Sequence, residues 1–467
     1  MSFVFYDVET TGVDKRFDQI LQFAAIRTDF EFNEIDRFEL RCRLLPHVVP
    51  SPGALVVTRV GIDRLVDSSL PTHYEMVCEI VERLSSWSPS VFLGWNTLEF
   101  DEDMLRQALY QCLYAPYLTN TGGNARTDLL KVARIAQADV PSVLTLPLDD
   151  RGRPSFKLDR LAPMNGFAHV QAHDALGDVE ATIHICRLIE QRAPEHWSDA
   201  IRFSSKAAVL AFVDAEDAYV LFECYFGKVC RFALTTLAID VANSSSVLAY
   251  DLSVDPASLI GLDDEALTRR LARSPKPVRR IRANACPMLR DLASFGDFGG
   301  MTVTELQVRS ARVGADAELR RRLIIAAERQ PFEEPEHVEA RIYDGFAGRA
   351  DSQRMAEFHA SGCWYARARI VESFEDPRFV ELGRRLIFHH APEALAAGDR
   401  QAVAAALAAR VLGHGHSEPP WATLSSAVGE ANAMALDCGD AERLILEPLQ
   451  LHYASEEARC RALLGLG

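Results

Sequence analysis

Residues 1–192 alternate in a way that leaves few folds open. The apolar run FVFYD at 3–7 reads as a buried strand stopped by Thr10, Thr11 and Gly12. LQFAAIRTDF at 21–30 reads as a second strand and RFELRCRLL at 37–45 as a third. Pro46, Pro50, Pro52 and Gly53 mark a loop, followed by a helical stretch around 72–87 and an apolar strand, VFLGWN, at 91–96. Helical patterns cover 101–114, 126–138 and 174–192. Three strands, then strands alternating with helices, predict an α/β layer built on a mixed sheet. The alternation ends at Arg192-Ala-Pro-Glu. Short β-rich runs over 207–254 (AYVLFECYF, KVCRFAL, SSVLAYDL) predict a small barrel or sheet. From 263 to 330 the sequence reads as helical and Arg-rich, and FEEPEHVEA at 332–340 reads as a linker. Beyond it the chain is helix-forming, with an Ala-rich amphipathic stretch at 393–411.

Composition narrows the function. The chain has 467 residues, which at roughly 150 per domain predicts about three domains. The 50 basic and 66 acidic residues leave a net charge of −16, which excludes a uniformly basic nucleic-acid coat but not a local basic groove. The ten cysteines are scattered without a C-x-x-C pair, so reduced thiols are expected rather than a disulfide scaffold or zinc. No uninterrupted apolar stretch approaches the ~18 residues of a membrane span. These features predict a cytoplasmic monomer without a membrane partner.

Asp7 and Glu9 form a D-x-E pair at the end of the first strand, where period-two geometry puts both carboxylates on one face. Strand carboxyl ends are where α/β folds place their sites. In GWNTLEFDEDML at 94–105 a buried strand runs into Asn96, and Asp101 opens a helix. In HDALGDVEAT at 173–182, His173 precedes a helix and Asp178 lies one turn in. Taken singly, Asp101 reads equally well as a dipole-favoured helix acid, and the His173 segment as a cap with a solvated acid. Together the three elements supply four carboxylates and a histidine. Four carboxylates at one point repel unless divalent cations neutralise them, and hard oxygen donors select magnesium or manganese. Two such ions about 4 Å apart activate a water and stabilise the leaving oxygen of a phosphodiester, with His173 as general base. The residues point to phosphodiester hydrolysis.

FYDVETTG, NTLEFD at 96–101 and HDALGD at 173–178 resemble the motifs of proofreading-type DEDD exonucleases whose third motif carries histidine. QFAAIRTD at 22–29, PSPGA at 50–54, DLL at 128–130, PSFKL at 154–158, Cys286-Pro287 and YDGF at 343–346 are similar to the bacterial exodeoxyribonuclease I family. That resemblance implies an α/β ribonuclease H-like exonuclease domain with a mixed sheet over 1–193. It implies an SH3-like β domain with helical insertions over 194–343 and an α-helical C-terminal domain over 344–467, together forming a clamp on single-stranded DNA. It further implies processive 3′→5′ degradation to nucleoside 5′-monophosphates, in DNA repair and recombination. Two magnesium ions, replaceable by manganese, are implied on Asp7, Glu9, Asp101 and Asp178, with His173 as the base and Glu9 also near the terminal nucleotide. The implied partner is the single-stranded DNA-binding protein, through its C-terminal tail.

By the same resemblance Arg106, Tyr117, Arg134, Lys157 and Lys206 fall at DNA-contacting positions. Each also has a plain reading, as a solvated cation or a packed tyrosine. Lys157 replaces a family arginine, exchanging a bidentate fork for a point charge. Tyr6 and Val8 depart from the first motif, and LTNT at 118–121 lacks an aromatic expected after Tyr117. The segment RRLARSPKPVRRIR at 269–282 carries seven basic residues and no acid. It reads equally as a phosphate track or as arginines paired with local acids. His389, His390, His414 and His416 lack metal-site spacing and read as surface or capping residues. Two other functions stay open at this point: a 3′ exonuclease on RNA or short oligonucleotides, and a silent nucleic-acid-binding scaffold.

Overall fold

The computed structural model describes residues 2–168, 174–241, 243–327 and 335–466. Its first sheet has five strands: β1 (Phe3–Thr10), β2 (Ile20–Thr28), β3 (Glu34–Arg41), β4 (Val91–Gly94) and β5 (Ala125–Asp128), in the order β3-β2-β1-β4-β5. β1 pairs antiparallel with β2 and parallel with β4, so the sheet is mixed, as the alternation predicts. β1 is central because its first four residues are buried on both faces, the pattern of a strand covered by helices on each side. Val4, Tyr6 and Val8 pack one face against the helices His73–Ser86 and Asp101–Gln111. Phe3 and Phe5 pack the other face against Ala175, Val179 and Ile183 of the helix Ala175–Arg192.

A second sheet of five antiparallel strands follows: β6 (Tyr219–Tyr225), β7 (Lys228–Ile239), β8 (Ser246–Asp251), β9 (Val278–Arg282) and β10 (Met288–Asp291), in the order β10-β6-β7-β8-β9. The β-rich runs of 207–254 are here, but two of the five strands fall inside the stretch read as helical from 263 to 330. β9 and β10 are short and Arg-bearing, with no strand signal of their own. They are strands because β8 and β6 supply partners for their backbone groups. A similar correction applies at 126–138, where β5 comes first and the helix starts at Leu129.

The C-terminal helices pack directly on the first region. Phe358, Val371, Leu382 and Ile387 share one apolar cluster with Val4, Tyr6, Met76 and Leu105 of the first region. Leu446, Leu449 and Tyr453 of the long helix Asp440–Leu463 cluster with Val49, Leu55 and Ile62. Among the described residues no helix is long and apolar enough to cross a membrane, and all ten cysteines are free thiols.

Candidate active site

Asp7 and Glu9 leave β1 on the face covered by the helix Ala175–Arg192, one turn into which Asp178 lies. The register changes between Glu9 and Thr10, so the strand is bent just where the pair emerges. Carboxylate oxygens of Asp7, Glu9 and Asp178 all lie within 4.8 Å of one another. Asp101, the first residue of its helix, is buried, and its Oδ1 accepts a hydrogen bond of 3.1 Å from the Val8 N–H. That bond ties the helix start to the strand residue between Asp7 and Glu9. Four acids from three elements thus meet at one sheet edge.

The electrostatics record that crowding. Burial pushes Asp7 well above the usual carboxyl range, and Asp101, Asp178 and Glu9 push it further. Glu9 is raised to about 8 by burial and then by Asp178 and Asp101, with Arg41 offsetting a part. Asp101 is raised to about 7 by burial, although the Val8 N–H opposes the shift. Oxygen donors that crowd and repel in this way fit hard divalent cations. A raised carboxyl pKa stabilises the fold below the unfolded value near 4, and that stability is lost as pH rises through 7 to 8. In chelator the melting temperature is therefore expected to fall between pH 5 and pH 8, and added Mg²⁺ or Mn²⁺ to raise it more at pH 8 than at pH 5. A melt series over that range checks this; a flat metal response contradicts it.

His173 lies outside the described residues. Its neighbour Asp174 stands at the N-cap position of the helix Ala175–Arg192, where its side chain accepts 3.0 Å from Gln22 Nε2 and also pairs with Arg41. β2 and β3 therefore fix the start of the helix that carries Asp178.

Sequence reasoning missed three acids here. Asp128 is buried at the end of β5, caps the helix Leu129–Asp139 through the Lys131 N–H (3.1 Å) and holds the Leu98 N–H (3.0 Å). Asp174 is the second. Glu102, beside Asp101 but turned into the core, accepts from Tyr6 Oη (2.8 Å), Thr119 Oγ1 (2.7 Å), Arg126 Nη1 (2.6 Å) and Arg106 Nε (2.9 Å). The available signal was spacing, since Glu102 falls one helical turn before the buried Leu105.

Arg106 is thus a mostly buried ion-pair partner rather than a free surface cation, and its guanidinium lies 5.2 Å from the Tyr117 ring centre. Tyr117 in turn meets Phe346 edge-on at 5.5 Å, and Phe346 and Tyr343 are exposed. Arg134 stands 5.7 Å from the Phe156 ring, whose backbone carbonyl takes the Trp95 Nε1–H at 3.1 Å. Lys157, next to Phe156, is exposed at the start of the helix Leu158–Met164. Lys206 Nζ donates to Ser244 Oγ at 2.8 Å beside the second sheet. In the basic segment Arg279 pairs with Asp251 (2.8 Å), Arg280 with Asp240 (3.0 Å) and Arg269 with Glu265 (3.2 Å). Pairing with a nearby acid holds for Arg269, whereas Arg279 and Arg280 pair with acids that the fold brings in from farther along the chain.

Comparison with known proteins agrees with this architecture. The exonuclease (RNase T) family model matches residues 4–186, which span the first sheet and all four acids. Exodeoxyribonuclease I of Escherichia coli K12 is 30% identical over 375 residues, covering 76% of this chain and 78% of that protein. Its Haemophilus influenzae counterpart is 28% identical over 415 residues, covering 83% and 85%. The solved exonuclease I of Methylocaldum szegediense superposes with a TM-score of 0.83 at 27% identity, covering 98% of this chain and 99% of that one. E. coli exonuclease I in complex with a dA16 oligonucleotide gives 0.81 at 26% identity, covering 97% and 99%. On this sequence and structural evidence, the chain belongs to the exodeoxyribonuclease I family.

Proposed function

We propose that this chain degrades single-stranded DNA from the 3′ end, releasing nucleoside 5′-monophosphates. The observation that carries the proposal is the meeting of Asp7, Glu9 and Asp178 within 4.8 Å at a sheet edge, with Asp101 tied to the same strand. These four residues would hold two magnesium ions, or manganese in their place, which when bound supply an activated water and charge stabilisation at the leaving 3′ oxygen. His173 takes the proton of the attacking water. Glu9, the outermost of the strand pair, approaches the terminal nucleotide.

Upstream of the scissile bond the chain offers aromatic faces and scattered cations, as sequence-tolerant single-strand binding requires. Tyr117 and Phe346 stack bases, Arg106 stiffens Tyr117 from below, and Arg134, Lys157 and Lys206 meet phosphates. Loss of Phe346 or Tyr117 to alanine is expected to remove roughly 1–3 kcal/mol of stacking per base. KM for long DNA then rises about tenfold or more with kcat nearly kept, and the mean run length before dissociation shortens in a trap experiment. An unchanged run length contradicts the stacking role.

We read 1–193 as the exonuclease domain, 194–343 as the SH3-like domain and 344–467 as the helical domain of a clamp that gives processivity. The enzyme would work as a monomer in cytoplasmic DNA repair and recombination, with the tail of the single-stranded DNA-binding protein as its docking partner. The direct test of the reaction is product chemistry. Chromatography of digested single-stranded DNA should show nucleoside 5′-monophosphates with Mg²⁺ and none in chelator; 3′-phosphates or internal fragments would contradict the proposal.

A further inference from the structure

A cavity of about 370 Å³ lies between the first region and the C-terminal helices, away from the four acids. Its walls are aliphatic, from Leu45, Val48, Val49 and Val66 on one side to Val411 and Leu424 on the other. A volume of that size with mainly apolar walls and a few converging polar groups is the form of a small-molecule site. The polar groups are unusual in kind. His73, His389, His390 and His452 all line it, and His47 donates to or accepts from His389 at 3.0 Å. Burial holds His73 and His390 down to about 4 and His389 to about 3, so the rings are neutral near pH 7. A neutral imidazole offers one donor and one acceptor, which suits the edge of an uncharged heterocycle.

Two further features aim the site. His73 is buried with Nδ1 turned to Cys112 Sγ at 3.9 Å, and its Nε2 has no hydrogen-bond partner. A buried ring nitrogen left unmatched is costly unless something else meets it. Among the charged lining residues, Glu456 is taken up by Arg459 at 2.9 Å, whereas Arg43 gives one Nη1–H to the Ser68 carbonyl at 3.3 Å and keeps other N–H groups for an anion. The histidines do not form a metal centre as placed, since among the described residues only Asp7, Glu9 and Asp178 converge within ligand range.

We propose that this cavity binds a nucleoside 5′-monophosphate, with the base between the aliphatic walls and against His73 and His390, and the phosphate at Arg43. The identity of the nucleotide rests on the proposed reaction, which releases one such molecule per turn. Because the cavity is walled by residues 43–50 and 66–73 on one side and by 389–390, 411, 424 and 452–456 on the other, an occupant ties the C-terminal helices to the catalytic region. Accumulating product would then steady the enzyme that makes it.

The test is equilibrium dialysis of the whole chain with deoxyadenosine 5′-monophosphate, deoxyadenosine and inorganic phosphate, all in chelator so that the acids hold no metal. The nucleotide is expected to bind more tightly than either fragment. Val66 is half exposed at the cavity's edge, so Val66→Trp fills the space without disturbing the core. It should weaken nucleotide and nucleoside alike by about tenfold or more, while Arg43→Gln should weaken only the nucleotide, by about tenfold. Binding that is indifferent to both changes overturns the site, as does no binding at millimolar nucleotide by protein that still degrades DNA. Cavity-dependent binding by protein that degrades no DNA upholds the site and refutes the proposed reaction.

Discussion

Asp7→Asn is expected to cost at least roughly 10²–10³-fold in DNA degradation while raising the melting temperature of the metal-free protein. The two effects have one cause. The Asp7 carboxyl is pushed well above its ordinary range by burial and by Asp101, Asp178 and Glu9, so in its charged form it destabilises the fold. Asparagine keeps the shape and removes the charge, so the mutual repulsion with Asp101, Asp178 and Glu9 goes with it. The same change removes a cation ligand, so Mg²⁺ should lose most of its stabilising effect. Activity assays and melts with and without metal read both signs. Lost activity with lowered metal-free stability would mean that Asp7 is a packing residue, and the reading of the site would fall with it.

Glu339→Ala is expected to destabilise the protein by about 3–5 kcal/mol, the usual cost of leaving buried charges without their partner. Glu339 is 2% exposed, 2.5 Å from Arg385 Nη1 and also paired with Arg410. Burial alone would raise its pKa, but Arg385 and Arg410 outweigh it and hold the group at about 2. Its stabilising share is therefore present above the unfolded pKa near 4.5 and lost as pH falls toward 2. This triad also reaches the catalytic region. The Glu339 carbonyl accepts 2.7 Å from Gln107 Nε2, and the Val338 carbonyl accepts 3.0 Å from Tyr110 Oη, both on the helix that begins with Asp101. Arg410 also lies over Phe17, in the loop that follows Glu9. Denaturant melts should show the loss in full for Glu339→Ala and a partial recovery when Arg385 and Arg410 are changed to methionine with it. A Glu339→Ala melt equal to wild type would contradict the buried triad.

What the sequence made legible was local. Asp7 and Glu9 could be read because an apolar strand and a D-x-E pair lie within eight residues, and period two fixes their shared face. Asp101 and Asp178 could be read because each sits at a helix start. β9 and β10 could not, because VRRIR and MLRD become strands only through β8 and β6, which lie far away in sequence. For Arg106 the sequence left open a DNA contact or a solvated cation and did not single out its partner Glu102; only the fold shows that acid turned to Tyr6, Thr119 and Arg126. Arg279 and Arg280 gave no sign of which acids would face them, since Asp251 and Asp240 arrive from the neighbouring strand and its approach. The cavity behind His73 and His390 was equally invisible, being made by residues more than 300 positions apart.

The central claim is directional, metal-dependent hydrolysis at the four-acid edge. A long single-stranded DNA labelled at its 5′ end, incubated with Mg²⁺ and sampled over time, tests it most directly. The account predicts a labelled ladder that shortens from the 3′ end, and full-length strand both in chelator and with Asp7→Asn. Early release of the labelled 5′ nucleotide, loss of an RNA strand while DNA persists, or tight binding of DNA without cleavage would contradict it.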